Sequence, residues 1–240
     1  MYAVPGYNAV MVQSRISVAI DGPAGAGKST VARQVAEALG FTYVDTGAMY
    51  RALAWAAVEA KIDPEDTQAV CGLAARLEVR LERGRVFADG QDITEKIRTP
   101  EISNLTSPLS ALPCVRERLA RLQREMGHSG GVVMEGRDIG TVVLPQAEVK
   151  VFLTASQAER VRRRREELGA GGTLLSTEQL GADIAKRDAR DASRDVAPMV
   201  AAPDAVHLES DGLSVDEVAA RILSLCREVE EKRKAEARHE

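Results

Sequence analysis

Gly22-Pro23-Ala24-Gly25-Ala26-Gly27-Lys28-Ser29 is the stretch whose reading decides the fold. A glycine, four residues, a second glycine, a lysine and a hydroxyl residue make the phosphate-loop pattern. Ile16-Ser17-Val18-Ala19-Ile20 before it reads as a buried parallel strand, and Thr30 to Leu39 after it as a helix of good formers. Gly25 and Gly27 let the backbone turn its N–H groups inward, and the helix N-terminus adds positive partial charge. Lys28 would reach the terminal phosphates of a nucleoside triphosphate, and Ser29 is placed to ligate magnesium. The binding stretch expected from this runs from Gly22 through Thr30. A glycine-rich turn that binds nothing is the alternative, and the agreement of every fixed position with a strand-loop-helix context weighs against it. The motif alone does not separate a kinase from a GTPase, a transporter ATPase or a nucleotide sensor.

Composition narrows the choice. A chain of 240 residues is long enough for one core with an insertion. Aromatic residues are only 3%, so the core must be built from Ala, Val, Leu and Ile, which suits an α/β protein with helices on a parallel sheet. The net charge of −4 makes no case for a nucleic acid or a membrane surface, so any anion must meet local arginine clusters. Cys71, Cys114 and Cys226 lack metal-ligand spacing and are read as packing residues in a reducing, cytoplasmic protein. The first fifteen residues resemble neither a signal peptide nor a membrane anchor and are expected to be a loose extension, with Met11 a candidate start.

Along the chain, Phe41 to Asp45 reads as a second strand, and Asp45-Thr46-Gly47 caps a helix carrying Tyr50 and Arg51. A helix over Thr67 to Leu77 precedes two alternating runs, Leu77 to Leu81 and Arg85 to Ala88, joined by Glu82-Arg83-Gly84, with another turn at 89–92. Half-buried antiparallel strands do not belong in a parallel nucleotide sheet, so this region is an expected insertion. Arg98 to Leu112 reads as a polar, small-residue segment, and Pro113 opens a helix to Gly127. Core strands follow at Gly131 to Glu135, Val149 to Leu153 and Ala205 to Leu208; His207 on the last is read as a packed or edge residue. Helices are expected over Ala155 to Leu168, with the run Arg160 to Arg165, from the capping-box spacing at Ser176 to about Asp195, and from Val215 to Lys234.

No Asn-Lys-x-Asp segment reads a guanine, and the arginine run lacks the interleaved aromatics of a nucleic-acid surface. Arg187, Asp191 and Arg194 fall at i, i+4 and i+7 and so share a helix face, where the plain alternative is a surface ion pair. Arg51, Arg137 and the run from Arg160 also stand at strand ends or beside them. A phosphate acceptor is already an anion and needs no general base; it needs cations against its repulsion from the donor, and arginine forks bind phosphate oxygens in pairs.

From Ile16 to about Leu225 the chain resembles bacterial cytidylate kinases, through Asp21 to Ser29, Asp45-Thr46-Gly47-Ala48-Met49-Tyr50-Arg51, Glu135-Gly136-Arg137-Asp138-Ile139-Gly140-Thr141 and Lys186-Arg187-Asp188-Ala189-Arg190-Asp191. The resemblance implies a P-loop kinase fold with a five-stranded parallel sheet flanked by helices. Its expected parts are an extension over 1–15, a core over 16–62 and 113–228 with a lid at about 156–195, an inserted nucleotide-monophosphate-binding subdomain over 63–112, and a charged tail over 229–240. It implies transfer of the ATP γ-phosphoryl group to CMP, and to dCMP, with magnesium, by a monomer with no nucleic-acid or membrane partner. Lys28, Arg137, Arg187 and Arg194 would then be catalytic. Arg51, Arg137 and Arg194 would grip the acceptor phosphate, Ser107, Arg116 and Asp138 read the cytosine, Arg187 and Asp191 contact the sugar, and Thr46 and Tyr50 line the site. Closure about Gly169-Ala170-Gly171-Gly172 is expected to exclude water. Two positions depart from the family pattern: Thr46 stands where serine is common and Glu135 where aspartate is common. A kinase for UMP or AMP, and a non-catalytic nucleotide-binding module, are the other readings left open.

Overall fold

The computed structural model describes residues 15–169 and 176–238. The expected extension up to residue 14, with Met11, and most of the glycine hinge, from residue 170, lie outside them. In chain order the elements are β1 Ser17–Asp21, α1 Lys28–Leu39, β2 Thr42–Asp45, α2 Thr46–Glu59, α3 Thr67–Arg76, β3 Val79–Glu82, β4 Arg85–Ala88, β5 Gln91–Asp92 and α4 Pro100–Leu109. They continue with α5 Pro113–Gly127, β6 Val132–Glu135, β7 Val149–Thr154, α6 Gln157–Gly169, α7 Thr177–Ala192, β8 Val206–Glu209 and α8 Val215–Glu236.

Five parallel strands form the main sheet in the order β2-β6-β1-β7-β8, with Ile20 opposite Glu135 on one side of β1 and Val151 on the other. The period of two decides what each face meets. Val18 and Ile20 of β1 join Val31, Val35, Val218 and Ile222 beneath α1 and α8, whereas Ala19 faces Ala120 of α5 and Val143 on the other side. Chain connections leave β1 in both directions, so a crevice opens beyond the carboxyl ends of β1, β2, β6 and β7, where open α/β sheets bind ligands. The phosphate-loop motif leaves β1 at that edge.

α2 is apolar on every side, and Met49, Ala52, Leu53, Ala54, Ala56 and Ala57 are buried. A helix of that kind must be covered all round. It is wrapped by α3, α4, α5 and a second, antiparallel sheet in the order β3-β4-β5. Two features here were not anticipated. The polar segment after Arg98 contains α4, capped by the Thr99 side chain on Ile102 N–H with Pro100 at the first helical position. The turn at 89–92 ends in the short strand β5.

The reading of all three cysteines as packing residues is corrected. Cys71 of α3 and Cys114 of α5, 43 positions apart, form a disulfide with Cα atoms 5.7 Å apart, and only Cys226 is a free, buried thiol. Their separation carries no spacing signal; it is the packing of α3 on α5 that brings them together. His207 lies exposed on the edge strand β8, stacked obliquely on Phe152. Among the described residues no helix is long and apolar enough to cross a membrane.

Candidate active site

The loop after β1 is cramped. Gly22 has φ 142°, and a Cβ there would sit 2.0 Å from the carbonyl oxygen of Leu153 on β7, so only glycine lets the loop leave the strand at this point. Gly27, at φ 87°, stands at the N-terminus of α1 and turns the chain into the helix. Lys28 is buried, its Nζ donating to Pro23 O at 2.7 Å, while Ser29 and Thr30 are exposed at the mouth of the crevice. Burial pushes the Lys28 ammonium well below its usual range and Arg137 adds to this; Glu135 and Asp21 oppose it.

The loop is held from outside by the arm after β7. Arg160 of α6 donates to Ala24 O at 3.2 Å and pairs with Asp188 of α7, whose carboxylate accepts from Ala24 N–H at 3.3 Å. Arg163, one turn on, donates to Ala26 O at 3.1 Å and to Ser210. Arg162 instead pairs with Glu159 and Glu166 on the exposed side. The arginine run is thus divided by helical spacing, and only part of it reaches the crevice.

At the carboxyl end of β2, Asp45 caps α2 through Ala48 N–H at 2.9 Å and pairs with Arg51 at 2.7 Å. Thr46 is buried, its hydroxyl donating to the Glu135 carbonyl at 2.7 Å, so it ties β2 to β6. Glu135 accepts from Tyr43 Oη at 2.7 Å and from the Ser29 side chain. Burial, then Asp45, pushes its carboxyl above the usual range. Asp21, at the end of β1, accepts from Ile139 N–H at 2.8 Å and Gly140 N–H at 2.7 Å, fixing the wide turn over 139–143 that follows β6. Burial raises Asp21 to about 6 despite those two bonds.

A cationic wall faces the loop. Arg137 Nε lies 3.1 Å from Asp191, and Arg194 Nη1 lies 3.6 Å from the same carboxylate. Arg194 is not on the helix face expected for it: α7 ends at Ala192 with Ser193 as its cap, and the chain folds Arg194 back beside Asp191. Arg187 Nε and Arg194 Nε and Nη2 are buried with no hydrogen-bond partner. Burial and the neighbouring Arg137 push Arg187 down to about 10, and burial and Arg116 lower Arg194. Buried donors without acceptors are costly, and like charges crowded together add to the cost; an incoming anion removes both.

Deeper in, Arg116 Nη2 meets Asp138 Oδ2 at 2.6 Å, and Arg116 Nη1 meets Ser110 O at 3.1 Å. The guanidinium lies over the Tyr50 ring, 5.5 Å from its centroid, and burial pushes the Tyr50 phenol up to about 12. Ser107 on α4 is also buried, and its hydroxyl accepts from Arg190 of α7. The expected residues therefore gather around one crevice. Arg160 belongs to the arginine run expected at this edge, while Asp21, Tyr43, Asp188 and Arg190 support the crevice with no role assigned to them from the sequence; Asp21 has the plainest signal, an acid ending a buried strand just before the first glycine.

A phosphate loop at the switch edge of a parallel sheet, faced by largely buried arginines that outnumber the carboxylate they share, defines a P-loop phosphotransferase with an anionic acceptor. The cytidylate kinase family model matches residues 18–228, and the chain belongs to that family. It is 50% identical to a cytidylate kinase of Desulfitobacterium hafniense over 217 residues, 89% of this chain and 94% of the relative. It is 51% identical to one of Geobacter sulfurreducens, covering 89% and 93%. It also matches a bifunctional pantoate ligase/cytidylate kinase of Synechococcus at 46%, covering 96% of this chain and 44% of that one. A solved structure of an uncharacterized protein from Eubacterium ventriosum shares the fold, with TM-score 0.50, 12% identity and coverage of 89% and 99%. The chain is an ATP-dependent phosphotransferase that acts on CMP.

Proposed function

We propose that the crevice works as a two-anion clamp, with the loop from Gly22 to Thr30 holding the donor phosphates and Arg51, Arg137 and Arg194 holding the acceptor phosphate. The observation that carries this reading is the pair of buried, partnerless nitrogens on Arg194, joined by Arg187 Nε, whose cation, like that of Arg137, is near enough to Lys28 to depress it. The acceptor oxygen is nucleophilic without a base, so the residues act by positioning and charge neutralisation. Arg137 and Arg194 share Asp191, which can release them to phosphate oxygens without leaving either cation in contact with the other alone. Arg187 and Asp191 are assigned to the sugar, with Tyr50 and Thr46 lining the site.

Asp138 is assigned to the exocyclic amine of cytosine, which a carboxylate can accept from and which uracil lacks; a buried site built for that bond rejects the analogue. dCMP is proposed as a second acceptor. Magnesium, when bound, would supply charge neutralisation on the donor phosphates. The exposed Ser29 hydroxyl beside the Glu135 carboxylate fits such an ion, completed by phosphate and water oxygens. A core carrying an inserted monophosphate-binding region over 63–112 and a lid over about 156–195, and a monomeric state without nucleic-acid or membrane partners, belong to the same proposal; a cytoplasmic location is proposed from the nucleotide chemistry alone, since the Cys71–Cys114 bridge removes the cysteine argument for it.

Acceptor profiling tests it. With ATP and magnesium, ADP release is expected to depend on CMP or dCMP, with UMP poor and AMP and GMP inactive. AMP or UMP turned over as well as CMP would overturn the base assignment, and ADP release independent of acceptor would overturn the clamp.

A further inference from the structure

The residues assigned to the base come from different elements. Asp138 follows β6 and Arg116 lies on α5, but Ser107 sits on α4, and its hydroxyl is met by a residue of α7. Arg190 Nη1 lies 2.7 Å from Ser107 Oγ, across 83 residues of chain. A guanidinium has donors only, so Ser107 must be the acceptor in this contact. The rest of the network is tied together: Ser110 Oγ donates to Ser107 O at 2.9 Å, and Ser110 O accepts from Arg116, which holds Asp138.

We infer that Arg190 sets the hydrogen-bond polarity of Ser107 and is thereby a positioning residue for base selection. With a lone pair engaged by a cation, the Ser107 oxygen is a poor acceptor for a second N–H, and its own proton becomes a stronger donor. The pyrimidine ring nitrogen next to the exocyclic group is an acceptor in cytosine and an N–H in uracil. A hydroxyl forced to donate therefore matches cytosine and opposes uracil, as the Asp138 carboxylate does at the neighbouring position. Two checks of opposite polarity read adjacent atoms of the base. Because Arg190 stands one residue before Asp191, which pairs with Arg137, the second check is present only while α7 is docked on α4.

The inference rests on the proposed role of Ser107 as a base contact, and the test separates the two. In the full-length protein, kcat and KM for CMP and UMP are measured for Arg190→Met, Arg190→Lys, Ser107→Ala and the double variant R190M/S107A. The expectation is that R190M raises KM for CMP about tenfold with kcat little changed, so that the CMP-over-UMP ratio of kcat/KM falls about tenfold, the effect of one charge-assisted hydrogen bond. R190K keeps a donor-only cation and is expected to retain most of the ratio. S107A is expected to lower the ratio, with no further loss in the double variant. If S107A lowers the ratio and R190M does not, or if the two losses multiply, Arg190 does not act through Ser107 and the inference falls while the Ser107 assignment stands. An equal loss toward CMP and UMP in R190M marks a merely structural contact and overturns the inference as well. If S107A leaves the ratio unchanged, the Ser107 assignment falls and takes the inference with it.

Discussion

Arg116 and Asp138 form a buried ion pair, Nη2 to Oδ2 at 2.6 Å, with 4% and 7% of the side chains exposed. Such a pair adds little over an apolar replacement, but losing one partner strands the other in a medium that cannot solvate it. Arg116→Met is expected to cost about 3–5 kcal/mol of folding stability. Asp138→Asn, which keeps the volume and one acceptor, should cost less. Urea unfolding measures both; a loss below about 1 kcal/mol for Arg116→Met would mean that water reaches the carboxylate.

Arg194 makes the opposite case. Two of its nitrogens are buried without partners, and Arg116 and burial both disfavour its charge. Arg194→Met is therefore expected to leave the unliganded protein within about 1 kcal/mol of the wild type, while kcat/KM for CMP falls at least about a hundredfold through the lost phosphate bonds. Thermal unfolding with and without CMP, beside steady-state kinetics, checks the pair of outcomes. A strongly destabilised but active variant would reverse the reading.

Gly22→Ala should be among the most damaging single substitutions in the chain. The added Cβ meets the Leu153 carbonyl oxygen at 2.0 Å, and φ 142° is a conformation that alanine rarely adopts. Either β1 and β7 separate or the loop is displaced, so a loss of several kcal/mol is expected. Gly212→Ala, also at positive φ but with open space around the Cβ, is the control and should cost about 1 kcal/mol.

Asp21 makes stability depend on pH in a defined window. Its folded value of about 6 lies above the ordinary 3.8, so the folded state binds the proton more tightly than the unfolded chain does. The resulting stabilisation is complete below pH 3.8 and is lost as pH rises through about 6. The groups acting on it are burial and Asp138, which raise it, and the two backbone N–H bonds and Lys28, which lower it. In Asp21→Asn the fall between these pH values should flatten by an amount on the order of 3 kcal/mol at most. Urea midpoints across that range, wild type against variant, measure it, and parallel curves would refute the assignment.

The strand-loop-helix form of the phosphate-loop motif is legible because the motif is local: fixed glycines, a lysine and a hydroxyl between a β-rich run and a helix. The three central strands β1, β6 and β7 are legible for a similar reason, since strands covered on both faces are written as mostly apolar runs, whereas the edge strands β2 and β8 carry polar residues. α4 was obscured by Ser103, Thr106, Ser107 and an internal Pro108, residues weak in a helix interior, although Thr99-Pro100 is a sound helix start. The Cys71–Cys114 bridge had no local signature at all, because contact between α3 and α5 creates it. The placement of Arg194 failed for a narrower reason. Helical spacing holds only to Ala192; the chain turns at Ser193, and Arg194 meets Asp191 from beyond the helix end.

The hold of Arg160, Arg163 and Asp188 on the backbone of the phosphate loop has a consequence for traffic through the site. The loop's Ala24 and Ala26 carbonyls and the Ala24 N–H are engaged by α6 and α7, so these helices cannot swing away and leave the cradle as it was. Departure of the arm removes these supports in the same movement and leaves Ala26 O to Ser210 alone. On the proposed reading of α6 and α7 as a lid, letting a spent nucleotide out and slackening the grip upon it are one motion, and the gate and the hand cannot be tuned separately.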